Sequence, residues 1–445
     1  MNTALLAVEQ TPPLSVPLRF FLTAPLFGLL ASLLLLYDGP LLFSSRWSPQ
    51  TLALTHLLTL GFISMVMFGA MLQLLPVLAA SPIPRPTLVS TALHLLLTLG
   101  SLTLAGSFFV GQIWLMRSAI VLLGLSFFGF ISVVAYCLVL AQGRSPIITA
   151  MRLAVSALAV TAVLGILLSL LFGYGIALPL PKNVLTDLHL TWGLIGWVGL
   201  LVMGIAYQVV PMFQITPHYP PSFTRWLIPL IFISLLLWTP LYILASFNKL
   251  PTIVPQLLIG LMGLGLALFA IATLHLQTRR LRKLPDVTLN YWRVGMIGLL
   301  LSIVLELASL FWPALAARPV YPVLLGVLFI AGFVLAVIQG MLYKIVPFLI
   351  WLHLQNQQLN ILKVINLAKT PNMKQIIPDR HARRQFWVYL VALALLIGAV
   401  LWQPSDLSYA AGGVFIVSFL GLGYNLYRAL WLYRSVSRQI ALGNW

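Results

Sequence analysis

The sequence predicts an all-α integral membrane protein, with twelve transmembrane helices arranged as three pseudo-symmetric four-helix repeats around an axis along the membrane normal. Of the 445 residues, 61% are apolar and only 7% are charged, a balance typical of a chain surrounded by lipid. Apolar segments long enough to cross a bilayer occur twelve times. One helix signature also occurs three times at nearly equal spacing, which indicates internal repetition.

The apolar segments define the predicted helices and, with the basic residues between them, the orientation of the chain. If the N-terminus is cytoplasmic, 19 Lys and Arg fall on the cytoplasmic side and 5 on the other side. By the positive-inside rule we expect both termini to be cytoplasmic. The predicted segments lie near residues 19–37, 51–78, 87–109, 113–141, 147–173, 185–212, 224–247, 252–276, 291–314, 321–351, 386–402 and 408–432.

The net charge of +18 is spread over short loops, so the lipid bilayer with its anionic headgroups is a sufficient partner and no nucleic acid is expected. The long basic segment 354–384 is expected to lie as a cytoplasmic loop on the membrane surface, with partner docking as the alternative. Cys137 is the only cysteine, which excludes disulfides, zinc fingers and covalently attached c-type haem. The first 20 residues have no basic region followed by an apolar core and a cleavage site, so we expect no cleaved signal peptide.

The repeated signature is centred on a polar residue, which is Gln73, Gln208 or Lys344. Each copy begins with Gly and an aromatic residue, has a second Gly eight residues on and the polar residue four further, and then reaches a Pro after two apolar residues. The copies fall on the second, sixth and tenth helices, so every repeat has an even number of helices and enters the membrane in the same direction. Within a single transmembrane domain, 1–445, the predicted repeats are approximately 19–145, 146–280 and 285–432.

Packing and helix termination are the expected roles of this signature. Small residues let neighbouring helices approach closely, and a Pro near the membrane surface lets a helix stop or kink. A Gln there can bond carbonyls that the Pro leaves free, and Lys344 can reach the headgroups. The alternative is a transport path for a small solute, lined by the polar intramembrane residues Glu306, Gln73, Gln208 and Lys344.

Two histidines are candidate cofactor ligands, because His56 opens the second helix and His189 opens the sixth. A charged group in a bilayer costs roughly 2–4 kcal/mol and tends to be functional. Neutral imidazole is a common ligand of haem iron and copper. The alternative for each ring is a hydrogen bond to a neighbouring helix, and His94 is expected to have only such a structural role.

Other polar side chains occur within the predicted helices. Glu306 is the only carboxylate deep in the membrane. Three alternatives are open for it: a neutral, hydrogen-bonded carboxyl, a member of a proton or ion path, or a contact of the cofactor. Asp187 is expected to cap the sixth helix rather than to orient His189. Tyr207 and Tyr343 immediately precede the polar residues of the second and third copies.

The sixth helix, "HLTWGLIGWVGLLVMGIAYQVVP", resembles that of the haem-copper oxidase large subunit, especially of C-type oxidases and nitric oxide reductases, where a His opens the helix and a Tyr-rich stretch before a Pro closes it. The second helix, "THLLTLGFISMVMFGAMLQLLP", is similar to theirs, which opens with a low-spin haem ligand. The chain also resembles the NnrS family, divergent relatives linked to haem, copper and nitric oxide stress. The resemblance implies a bacterial inner-membrane protein in which His56 is a haem ligand and His189 a copper ligand.

Several departures from that family accompany the resemblance. The seventh helix lacks the family's His pair, the tenth offers only Tyr321 in place of two His, and Gly193 replaces the active-site Tyr. His56 precedes its Gln by 17 residues and His189 by 19, so the two are not equivalent repeat positions unless a bulge intervenes.

These departures predict a protein without oxygen-reducing activity. The leading interpretation is a haem-copper-oxidase-like protein that binds haem or copper for haem or copper handling, or for a response to nitric oxide. The alternatives are a small-solute transporter and a non-catalytic partner or assembly factor of a respiratory complex. A respiratory-chain protein or a c-type cytochrome would be a suitable partner.

Overall fold

A computed structural model describes residues 11–141, 145–281, 285–361 and 370–442. In this part of the chain twelve helices are long and apolar enough to cross a membrane, so the predicted number of helices and the all-helical fold class are confirmed. The boundaries of the proposed repeats stay a prediction. The spans are α1 (Ser15–Phe43), α2 (Pro49–Ala79), α3 (Pro86–Val110), α4 (Ile113–Leu140), α5 (Pro146–Tyr174), α6 (Lys182–Gln214), α7 (Pro221–Ser246), α8 (Ile253–Thr278), α9 (Val287–Phe311), α10 (Val320–Gln358), α11 (Asp379–Trp402) and α12 (Ser405–Ala441).

The three helices that carry the signature are the most deeply buried of the spans. In the most apolar window of each, the share that is buried is 78% for α2, 72% for α6 and 67% for α10. All the others are at 56% or less, because they present one face to lipid. The signature helices therefore form the centre of the bundle, and the less buried helices surround them.

The second glycine of each signature packs against the first helix of its own predicted repeat. A Cβ atom would meet Phe20 Cβ at 2.8 Å from Gly69, Ala150 Cβ at 2.2 Å from Gly204, and Tyr291 Cβ at 2.6 Å from Gly340. These residues belong to α1, α5 and α9. The same close approach is thus made three times, in agreement with the packing role expected for the signature.

The prolines of the signature end two helices but not the third. Pro76 and Pro211 lie in the last turns of α2 and α6, and the residues that follow these helices, Ala80 and Ile215, adopt the left-handed conformation at φ 47° and 54°. After Pro347 the helix continues to Ile361, through a stretch without Gly or Pro. The termination expected for all three copies is therefore wrong for the third.

The basic segment 354–384 is partly helical rather than one surface loop. The extension of α10 occupies its start, a short helix spans Met373–Ile376, and α11 begins at Asp379. Asn372 closes a capping box on the short helix. Residues 362–369 lie outside the described residues.

Each signature helix contains a π-helical segment, which the sequence analysis had considered only as a possible bulge between the His and the Gln. The segments are Leu57–Ser64 in α2, Trp192–Gly199 in α6 and Val327–Leu335 in α10. All three include the Gly-aromatic pair that begins the signature. In both α2 and α6 the π-helical segment lies between the His and the Gln. The segments therefore do not remove the difference of two residues between the His–Gln spacings of these helices. Such segments are rare and occur frequently at functional sites.

Candidate cofactor cavity

A cavity of about 1410 Å³ lies between the three signature helices, at the face of the bundle opposite the start of α1 and the end of α12. It is lined by the first halves of α2, α6 and α10, because even-numbered helices begin at that face. All three π-helical segments contribute to the wall, through residues such as Ser64, Trp197 and Leu335. Small-molecule sites usually have volumes of about 300–1,000 Å³, so this cavity admits a ligand at the upper end of that range or beyond it.

The imidazole of His56 lines the cavity from α2. Its Nδ1 atom lies 2.7 Å from the main-chain oxygen of Leu52, and its ring lies 5.6 Å from that of Phe108. A carbonyl oxygen only accepts hydrogen bonds, so Nδ1 carries the ring hydrogen and Nε2 keeps its lone pair. No residue in the described part of the chain bonds to Nε2.

His189 has the same arrangement on α6. Its Nδ1 atom lies 3.0 Å from the main-chain oxygen of Thr161 on α5, which likewise leaves Nε2 with a lone pair. The two imidazoles line the same cavity. A ring whose Nδ1–H is held by a main-chain carbonyl is the usual form of a metal-binding histidine.

Gly165 on α5 makes room for the His189 ring. A Cβ atom at Gly165 would lie 2.9 Å from His189 Cε1 and 3.4 Å from its Nδ1. The absence of a side chain at this position therefore sets where the ring can lie.

Asp187 neither caps α6 nor orients His189, contrary to the sequence-based expectation. The helix begins at Lys182, earlier than predicted, so Asp187 lies in its second turn. Arg46 donates a hydrogen bond to its Oδ1 atom at 2.8 Å, and the Tyr242 hydroxyl donates to Oδ2 at 2.6 Å. Asp187 therefore ties α6 to the α1–α2 connection and to α7.

Two cationic side chains, Arg46 and Lys182, lie on the cavity wall near Asp187. Arg46 lies 4.7 Å and Lys182 4.8 Å from the ring centroid of Trp47, and all three line the cavity. Asp187 balances only one of the two cations. This part of the wall therefore has a net positive charge.

Glu306 also lines the cavity, from the last turns of α9. Its Oε2 atom lies 2.5 Å from the hydroxyl of Tyr321. The sequence analysis named Tyr321 only as the residue that α10 offers in place of two His. Lys344 is not the partner of Glu306, since its Nζ atom lies 2.9 Å from Asp286 at the start of α9.

The remaining predicted residues do not line the cavity. His94 bonds Thr23 Oγ1 at 2.8 Å, which agrees with its expected structural role. Tyr343 accepts a hydrogen bond from Asn425 at 3.0 Å, and Tyr207 packs against Tyr219 with ring centroids 5.1 Å apart. Gln73 and Gln208 lie in the second halves of their helices. Of the predicted residues, the cavity thus brings together His56, His189 and Glu306.

Sequence reasoning missed the residues that hold Asp187 and His189 in place. Arg46, Tyr242 and Thr161 are far from their partners along the chain, and no local pattern links them. A metal site with three or more His, Cys, Asp or Glu ligands is not formed by the described residues.

Comparison with solved structures identifies a similar fold. A cryo-EM structure of a heme-copper terminal oxidase dimer matches with a TM-score of 0.60, covering 97% of this chain and 85% of that chain at 13% sequence identity. No protein-family model and no curated protein matches the sequence. The chain therefore has the fold of a heme-copper oxidase, and at this identity the likeness extends to the fold alone.

Proposed function

We propose that the protein binds a haem in the cavity between α2, α6 and α10, with His56 or His189 as the axial ligand. One observation carries the proposal: two imidazoles, each held through Nδ1 by a main-chain carbonyl, present an unoccupied Nε2 to one large cavity. The role that follows is haem or copper handling, or a response to nitric oxide.

The residues present fit a haem better than a copper centre. A haem needs one strong axial ligand, a wide apolar space and positive charge near its carboxylates. The cavity offers the two histidines, a mainly apolar wall, and Arg46 with Lys182. A copper centre built from three imidazoles has no counterpart among the described residues, although a single copper ion on His189 or His56 stays an alternative.

We infer that oxygen reduction is not the activity of this protein, because α7 and α10 lack the histidines that the resemblance to the oxidases would require. When bound, the haem supplies the ligand-binding and redox chemistry of its iron. The contribution of the chain is to hold that iron through one imidazole, to fix the ring hydrogen on Nδ1 through Leu52 or Thr161, and to surround the macrocycle with apolar side chains.

Spectroscopy of purified protein tests haem binding directly. Protein from cells supplied with haem precursor and copper is expected to show a stoichiometric Soret band that shifts on dithionite reduction. His56→Ala or His189→Ala should abolish the band, because one of them removes the axial ligand. Metal analysis of the same samples separates iron from copper.

His94→Ala is the matched control, since this imidazole is bonded to Thr23 outside the cavity and its removal should leave the spectrum unchanged. Wild-type protein that is colourless and metal-free under these conditions would contradict the proposal. Copper without a Soret band, lost in His189→Ala, would replace haem binding with copper handling.

Gly165→Ala tests the ligand geometry without removing a ligand. The new methyl group would overlap His189 Cε1, so the ring must move away from Thr161. If His189 is the ligand, haem affinity should fall about tenfold, roughly 1.4 kcal/mol, in a titration followed by the Soret absorbance. Gly124→Ala on α4 is the control, since its nearest contact would be Ile166 at an ordinary 3.9 Å. Unchanged affinity in Gly165→Ala would exclude His189 and leave His56 as the ligand.

A further inference from the structure

Three oxygen-bearing groups on the cavity wall form a closed set of short contacts, which we call the Glu306 triad: Glu306, Ser309 and Tyr321. The Tyr321 hydroxyl lies 2.5 Å from Glu306 Oε2 and 3.0 Å from Ser309 Oγ. The Ser309 hydroxyl in turn donates to the main-chain oxygen of Glu306 at 2.7 Å.

The number of hydrogens in the triad bears on its protonation state. Three hydrogen bonds need three hydrogens, and the two hydroxyls supply only two. The main-chain oxygen only accepts, so it takes the Ser309 hydrogen. The Tyr321 hydrogen then serves either Glu306 or Ser309, and one contact between two oxygens has no hydrogen.

A proton on Glu306 supplies the missing hydrogen. Glu306 then donates to Tyr321, Tyr321 donates to Ser309, and Ser309 donates to the main-chain oxygen of Glu306. All three contacts become hydrogen bonds that run in one direction.

The surroundings of Glu306 favour the same state. No Lys or Arg in the described part of the chain forms an ion pair with it, so no cation is placed to stabilise a negative charge on this carboxylate. The other ionisable groups on the cavity wall are Arg46, His56, Lys182, Asp187, His189, Tyr242 and Arg318.

We propose that the Glu306 triad is a proton-exchange site, which stores one proton on Glu306 and gives it to a water molecule or a basic ligand atom in the cavity. In this step the O–H bond of Glu306 breaks and a new bond forms to the acceptor. The Tyr321 hydroxyl rotates from Ser309 to donate to the resulting carboxylate. Return of the proton restores the original arrangement. The triad is formed by the chain itself, so the proposal does not depend on a bound haem.

Infrared spectroscopy of the purified protein tests the proposal. At neutral pH a carbonyl stretching band of a protonated carboxyl should be present in the wild type and absent in Glu306→Gln. The amide of Gln can donate to Tyr321 as the acid does, so this variant is expected to fold. The band should shift soon after transfer to heavy water and disappear reversibly in alkaline buffer, because the cavity gives solvent access to the group.

Two further variants keep the test decisive. Asp406→Asn changes an exposed carboxyl at the start of α12 and should leave the band unchanged. Tyr321→Phe removes the acceptor of the Glu306 hydrogen and should move the band to higher frequency, which identifies the group even if Glu306→Gln does not fold. Absence of the band at neutral pH would overturn the protonated state. A band that heavy water and alkaline buffer both leave unchanged would overturn proton exchange.

Discussion

Gly298→Ala is expected to be one of the most destabilising additions of a single methyl group to the bundle centre. A Cβ atom at Gly298 on α9 would lie 2.5 Å from the carbonyl carbon of Gly332 on α10, and 2.8 Å from its oxygen. Both are main-chain atoms, so no side chain can rotate away and the two helices must separate. Overpacking usually costs about 1–3 kcal/mol, and we expect at least the upper end of that range. The midpoint of thermal unfolding in mild detergent measures the effect.

The same substitution at the facing glycine of α10 provides a comparison. A Cβ atom at Gly332 would lie 3.4 Å from Gly298 Cα, which is an ordinary contact, so Gly332→Ala should be far milder. Gly413→Ala in α12 would meet nothing within 4 Å and should be neutral or slightly stabilising. Equal destabilisation by Gly298→Ala and Gly332→Ala would contradict the asymmetry of this contact, in which only Gly298 lacks room for a Cβ atom.

Asp286→Ala is expected to have the second large effect, because this carboxylate has two roles. It accepts a hydrogen bond from the main-chain nitrogen of Thr288 at 2.9 Å, which caps α9, and it lies 2.9 Å from Lys344 Nζ on α10. Loss of a cap costs about 1 kcal/mol. Since both side chains are mostly buried, loss of the ion pair should cost about 1–3 kcal/mol more.

Asp286→Asn separates the two roles, because Asn caps helices as well as Asp but has no charge. It should retain the cap and lose only the ion pair, so its unfolding midpoint should fall between those of the wild type and Asp286→Ala. Lys344→Gln completes a double-mutant cycle and gives the third signature the residue found in the other two copies. Additive effects of Asp286→Asn and Lys344→Gln would argue against a stabilising ion pair.

The fold was predictable from the sequence because the lipid environment simplifies the problem. Every spanning segment must satisfy its own main-chain hydrogen bonds, so apolar length alone identifies a helix. The close contacts of α2, α6 and α10 were predictable from the glycines at eight-residue spacing. Spacing on a helix fixes which face a residue occupies.

The site was predictable only in part. His56, His189 and Glu306 could be selected because ionisable groups are rare in a membrane. The partners of Asp187 could not, because Arg46 and Tyr242 are 141 and 55 residues away and their contacts depend on how the helices pack. The π-helical segments could not be predicted either, since they differ from α-helix only in hydrogen-bond pattern and leave no change in apolar character.

The π-helical segments separate the half of each signature helix that lines the cavity from the half that bears the second glycine. One residue more or less changes the angle about the helix axis by about 100°. A widened turn absorbs such a change locally, so the half that lines the cavity can be rotated while the glycine-bearing half keeps its contacts with α1, α5 or α9. A chain built this way can alter which side chains face its cavity without repacking the bundle. The same scaffold can therefore carry different side chains at the cavity while the glycine-bearing ends of α2, α6 and α10 keep their contacts with α1, α5 and α9.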